Sequence, residues 1–184
     1  MNDKLKEEIR KNGGVILYPT DTIWGLGCDA TNPEAVKRIY DIKKRADNKS
    51  MLVLLDDAGK IASYADVPDI ALDLIEVADK PTTIIYPGAK RLAPNLIAED
   101  GTIGIRITRE EFTRSLIFRY NKPIVSTSAN ISGEPSPHFF GEISEEIKNA
   151  VDYIVDYRRN DHKPAAPSSI IKLGMGGEIQ IIRK

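Results

Sequence analysis

Cysteine is almost absent from this sequence of 184 residues: Cys28 stands alone, so no intramolecular disulfide can form and nothing calls for an oxidising compartment. Histidine is nearly as scarce. Only His138 and His162 occur, and no His or Cys pair has metal-ligand spacing, which argues against structural zinc. Long apolar runs are missing too. None approaches the roughly 18 residues that cross a bilayer, and the opening MNDKLKEEIRKNGG lacks the apolar stretch of a secretory signal. A cytoplasmic protein without membrane contact is the expectation. Net charge is −1 and aromatics are only 7%, so the chain has neither the global charge nor the aromatic-studded basic surface of a non-specific nucleic-acid binder. A basic cavity remains compatible with that balance, because net charge says nothing about clustering. The Gly-x4-Gly-Lys-Ser/Thr pattern of a phosphate-binding P-loop is also absent, as is the Gly-x-Ser-x-Gly nucleophile elbow.

What is present suits one ordinary globular domain over residues 1–184: 41% hydrophobic and 29% charged, with no repeat, low-complexity tract or linker. Periodicity predicts a helix from about Asp3 to Asn12, ended by Gly13 and Gly14, and then a strand from Val15 to Tyr18. The loop PTDTIWGLGCDATNP follows. Pro33 opens a helix whose stripe is Val36, Ile39 and Tyr40 and whose end is Lys43, Lys44 and Arg45. Strands are predicted at Met51–Leu55, Thr82–Tyr86, Thr102–Ile107, from Pro123, and at Tyr153–Val155, Ser169–Lys172 and Ile179–Ile182. Helices are predicted near Ala58–Tyr64, Asp69–Ala78, Glu110–Tyr120 and Ser144–Ala150. Such irregular alternation indicates an α/β fold with a mixed sheet.

Four features could carry chemistry, and each has a structural alternative. Tyr18–Thr31 breaks a strand into hydroxyls and glycines that either present donors to a small polar ligand or simply cap turns. Lys43 and Arg45 either clamp phosphate oxygens or complement a helix dipole. In PIVSTSANISGEPSP an apolar strand runs into Ser126, Ser128, Asn130 and Ser136, either a ligand floor at the strand's carboxyl end or a serine-rich loop. Arg106, flanked by Ile105 and Ile107, meets an anion inside, forms a structural salt bridge, or faces solvent.

Six segments in order, GGVILYPTDTIWGLGCDA, KKRADNKSMLVLL, TIGIRIT, PIVSTSANISGEPSP, PSSIIK and IIRK, resemble the threonylcarbamoyl-AMP synthase (YrdC-like) family along nearly the whole chain. The resemblance implies a twisted, open, mixed parallel and antiparallel sheet with helices on both sides and a deep, positively lined central cavity. It also implies a reaction of ATP, L-threonine and bicarbonate giving threonylcarbamoyl-adenylate and pyrophosphate, with Mg²⁺ carried by ATP and no organic cofactor. Downstream transferase proteins would then modify transfer RNA.

On the matching positions, Lys43 and Arg45 would hold the ATP phosphates. Ser126, Ser128, Asn130, Ser136 and Arg183 would border the nucleotide, and Thr22, Arg106 and Ser168 would form the threonine pocket. Ala46 stands where the family often has proline, Ala78-Asp79-Lys80-Pro81 replaces a Trp-Pro-Gly-Pro-like turn, and Ser169 replaces a threonine after DHKPAAPS. Two rival readings of the same fold are a structured-RNA-binding module with direct RNA contact and a nucleotide-binding paralogue without turnover.

Overall fold

The computed structural model describes residues 3–44, 51–163 and 165–184. Among them lie nine strands in one mixed sheet: β1 (Ile16–Tyr18), β2 (Gly25–Gly27), β3 (Leu52–Leu55), β4 (Thr82–Tyr86), β5 (Ile103–Ile107), β6 (Ile124–Ser128), β7 (Tyr153–Ile154), β8 (Ser169–Leu173) and β9 (Ile179–Arg183). Their order is β7-β1-β2-β6-β3-β5-β4-β8-β9. Pairs β1–β7, β3–β5 and β4–β8 are parallel and the rest antiparallel. The helices are α1 (Asp3–Arg10), α2 (Pro33–Lys43), α3 (Ile70–Val77), α4 (Glu111–Tyr120) and α5 (Glu145–Ala150).

Two predicted boundaries shift for local reasons. Ala58–Ser63 is 3₁₀ in place of α, with Asp57 capping Gly59 N through its side chain at 2.7 Å. Gly25–Gly27, expected within a loop, is a strand antiparallel to β1 and β6. Its composition hides it, since two of three residues are glycine. The glycines are there because the backbones run close: a Cβ on Gly27 would lie 2.5 Å from Tyr18 Cε1 and 2.9 Å from Val125 O.

Strand alternation feeds two apolar layers, one on each side of the sheet. Leu17, Val53, Leu55, Ile84, Ile103, Ile105 and Val125 face the layer that includes Ala35, Val36, Ile39 and Tyr40 of α2 and Ile147 of α5. Ile16, Tyr18, Leu54 and Ile124 face the other, closed by Leu5 and Ile9 of α1 and Leu116, Ile117 and Tyr120 of α4. Helices therefore cover both faces, as the α/β reading requires. On the α1/α4 face, however, cover stops partway. Beyond Leu54 and Ile124 the same side of the sheet continues through Leu52, Ser126, Gly104, Arg106, Thr83, Ile85, Ile170 and Arg183, all of which line a cavity.

Candidate active site

That cavity measures about 290 Å³. Its floor is the sheet. Gly104 keeps the floor open, because a Cβ there would lie 3.3 Å from Thr83 Cγ2 and 3.4 Å from Leu52 Cβ. One wall is the segment after β1, bringing Thr22, Ile23 and Trp24, and another is the end of β6 with Ser126, Thr127 and Ser128. Ser136, Pro167 and Ser168 close the rim.

Arg106 of β5 is the central cation. It is 3% exposed, so burial is tolerable only with compensating partners. Its Nη2 lies 3.1 Å from Asp21 Oδ1 and donates to Thr22 Oγ1 at 3.3 Å. Nε has no hydrogen-bond partner among the described residues. Of the three sequence alternatives, solvent exposure is excluded; the guanidinium both pairs with an acid and faces the cavity. Arg183 enters from β9, with Nε donating to Ser168 O at 2.9 Å. Partial burial, and then the neighbouring Arg106 charge, hold its guanidinium below the ordinary arginine value. The hydroxyls are tied down: Ser168 and Thr83 share a hydrogen bond at 2.8 Å, as do Thr20 and Thr22 at 3.0 Å. Thr83, missed in the sequence, was readable from alternation, since its neighbours Ile84 and Tyr86 face the core.

Thr22, Arg106, Ser126, Ser128, Ser136, Ser168 and Arg183 thus converge on one chamber. Two expected residues sit differently. Lys43 is 1% exposed and is not in the cavity lining; its Nζ donates to the carbonyls of Ser128 at 2.5 Å and Asn130 at 2.6 Å. Asn130 donates through Nδ2 to Ile131 O at 3.0 Å and Glu134 O at 2.8 Å, knitting the turn after β6. Arg45, with Ala46, lies outside the described residues. Among the described residues no group of three His, Cys, Asp or Glu is placed to hold a metal, and no helix is long and apolar enough to cross a membrane. Cys28 is buried, and burial pushes its thiol well above the ordinary range, so it is not a poised nucleophile.

A half-covered mixed sheet thus gathers two guanidiniums and a set of hydroxyls on its open face, groups with the chemistry to meet a small anion. The family model that matches residues 8–184 is that of Sua5, YciO and YrdC, described as "Telomere recombination". A Methanocaldococcus jannaschii protein named "Putative threonylcarbamoyl-AMP synthase" is 39% identical over 170 residues, which is 92% of this chain and 78% of that one. A Pseudoalteromonas translucida protein named threonylcarbamoyl-AMP synthase is 32% identical over 91% of this chain and 90% of its own. Among solved structures, P. abyssi Sua5 complexed with L-threonine superposes with a TM-score of 0.81 at 26% identity, covering 92% of this chain. This chain spans about half the length of that Sua5, 50%. The chain belongs to the Sua5/YciO/YrdC family.

Proposed function

We propose that this chain is an L-threonylcarbamoyladenylate synthase, a nucleotidyltransferase using ATP, L-threonine and bicarbonate. The observation that carries the reading is the cavity itself: Arg106 and Arg183 beside Thr22, Ser126, Ser128, Ser136 and Ser168, with no histidine or cysteine in the described lining. Such a site suits a reaction whose nucleophile comes from the substrate. The threonine amine and bicarbonate give a carbamate and water. A carbamate oxygen then attacks the α-phosphorus of ATP, a P–O bond forms, and the bond to the bridging oxygen breaks with its electron pair leaving on pyrophosphate. Positioning and cationic stabilisation of the phosphates are the protein's main tasks.

In this reading Arg106 receives the threonine carboxylate through a planar guanidinium, with Thr22 and Ser168 completing the amino-acid pocket. Ser126, Ser128, Asn130, Ser136 and Arg183 border the nucleotide, and Lys43 and Arg45 supply charge beside the phosphates, Lys43 from its seat on the Ser128 and Asn130 carbonyls. Mg²⁺ enters as part of the ATP substrate, held largely by phosphate oxygens. The relatives named as synthases and the threonine complex of the Sua5 neighbour support the assignment. The product would pass in the cytoplasm to proteins that transfer the threonylcarbamoyl group to transfer RNA. The test is pyrophosphate release with each substrate omitted in turn.

A further inference from the structure

The acid beside Arg106 has no place in the reaction as written. Asp21 comes from the segment after β1, its side chain 10% exposed. Its Oδ1 stands 3.1 Å from Arg106 Nη2 but outside hydrogen-bond alignment, and has no hydrogen-bond partner among the described residues. Burial pushes the carboxyl above the ordinary carboxylate value, and the Arg106 charge pulls it the other way. An arginine–carboxylate pair built for stability closes as a fork with two parallel N–H···O bonds. This one does not. No aligned hydrogen bond joins the two side chains, and Nε, buried with the rest of the side chain, is left without an acceptor among the described residues. Arg183 adds a second positive charge to the same cavity, and its guanidinium is held low partly by Arg106.

We propose that Asp21 is a positioning residue for the amino-acid substrate. It holds Nη2 of Arg106 against the cavity wall, together with Thr22 Oγ1, and so fixes the orientation in which the guanidinium meets an incoming carboxylate. The inference rests on the synthase reading and deepens it. Asp21 acts through Arg106; it does not touch the reacting atoms, and the phosphate end of the site is independent of it.

The experiment combines steady-state kinetics with direct calorimetric titration of L-threonine, on the unsubstituted chain and on Asp21→Asn, which keeps shape and removes charge. Asp21→Asn is expected to raise KM and Kd for threonine by about tenfold or more, with KM for ATP within about twofold and kcat at saturating threonine within about threefold. A purely structural acid would weaken both substrates together. Should Asp21→Asn not fold, Asp21→Glu carries the same test, since it keeps the charge but moves it by one methylene; its threonine KM should rise selectively. Threonine constants unchanged in the variant, or ATP and threonine affected equally, overturn the role of Asp21 while leaving the synthase reading intact. Threonine binding without threonine-dependent pyrophosphate in the unsubstituted chain overturns the synthase reading instead, and the titrations then decide the Asp21 claim alone. No threonine binding at all overturns both.

Discussion

Lys43 Nζ donates to Ser128 O at 2.5 Å across 85 residues of sequence, and to Asn130 O at 2.6 Å beside it. The carboxyl end of α2 is thereby fastened to the carboxyl end of β6, where Ser128 meets the cavity. Lysine is rarely buried this deeply, and here its charge rests on main-chain carbonyls that would otherwise lack this donor.

Replacing Lys43 should therefore affect the fold as well as the ligand. Lys43→Met is expected to cost about 1–3 kcal/mol of stability, the scale of a buried polar group stripped of its partner. ATP affinity should fall in the same variant. Arg45→Ala should weaken ATP by about tenfold or more. Denaturant unfolding and ATP titration of the two variants separate these outcomes.

Arg106→Lys keeps the charge and loses the planar fork. The threonine KM should rise by about tenfold or more while that for ATP changes by less than about threefold. Equal effects on both substrates would reduce Arg106 to the structural partner of Asp21.

The second glycine of β2 tests the unexpected strand. Gly27→Ala places a Cβ against Tyr18 Cε1 and Val125 O, a clash that backbone on one side cannot relieve. A loss of about 1–3 kcal/mol is expected, the usual cost of overpacking. Gly101→Ala makes an instructive contrast: nothing lies within 4 Å of a Cβ there, but φ is +74° and the strain is in the backbone alone. Thermal unfolding of both variants measures the two costs.

Much of this was legible from the chain. The apolar runs at Thr82–Tyr86 and Ile103–Ile107 and the stripes of α2 and α4 follow from periodicity alone. The hydroxyl-rich end of β6 reads as either a ligand floor or a serine-rich loop, and Ser126 and Ser128 do line the cavity, as does Arg106 from an apolar strand. β2 escaped because close backbone approach demanded glycines, which erase strand propensity. The seat of Lys43 escaped for a different reason. A cation at a helix end already has a local explanation in the dipole, and nothing in the sequence says that the helix points at two carbonyls 85 and 87 residues away. The Asp21–Arg106 pair was hidden in the same way, being 85 positions apart.

Acid stability should report on Asp29, a buried acid that the site does not use. Burial alone would raise its carboxyl, but Lys122, Thr31 and Tyr120 donate to it at 2.6–2.8 Å and hold it below the ordinary carboxylate value. A depressed native pKa gives stability that is present above the unfolded value near 4 and is lost as pH falls through the native value. Asp29→Asn should be less stable than the parent at pH 7 by about 1–3 kcal/mol, and the gap should close below about pH 4. A gap that persists unchanged at low pH would remove the charge from the explanation.

A substrate-borne nucleophile leaves its mark in timed pyrophosphate release from purified protein with MgATP. Release is expected only when ATP, threonine and bicarbonate are all present, and should be lost when bicarbonate alone is withheld while ATP still binds. An RNA-binding module would show no threonine-dependent pyrophosphate but salt-sensitive association with duplex RNA. Pyrophosphate that appears regardless of threonine and bicarbonate would rule out a carbamate nucleophile.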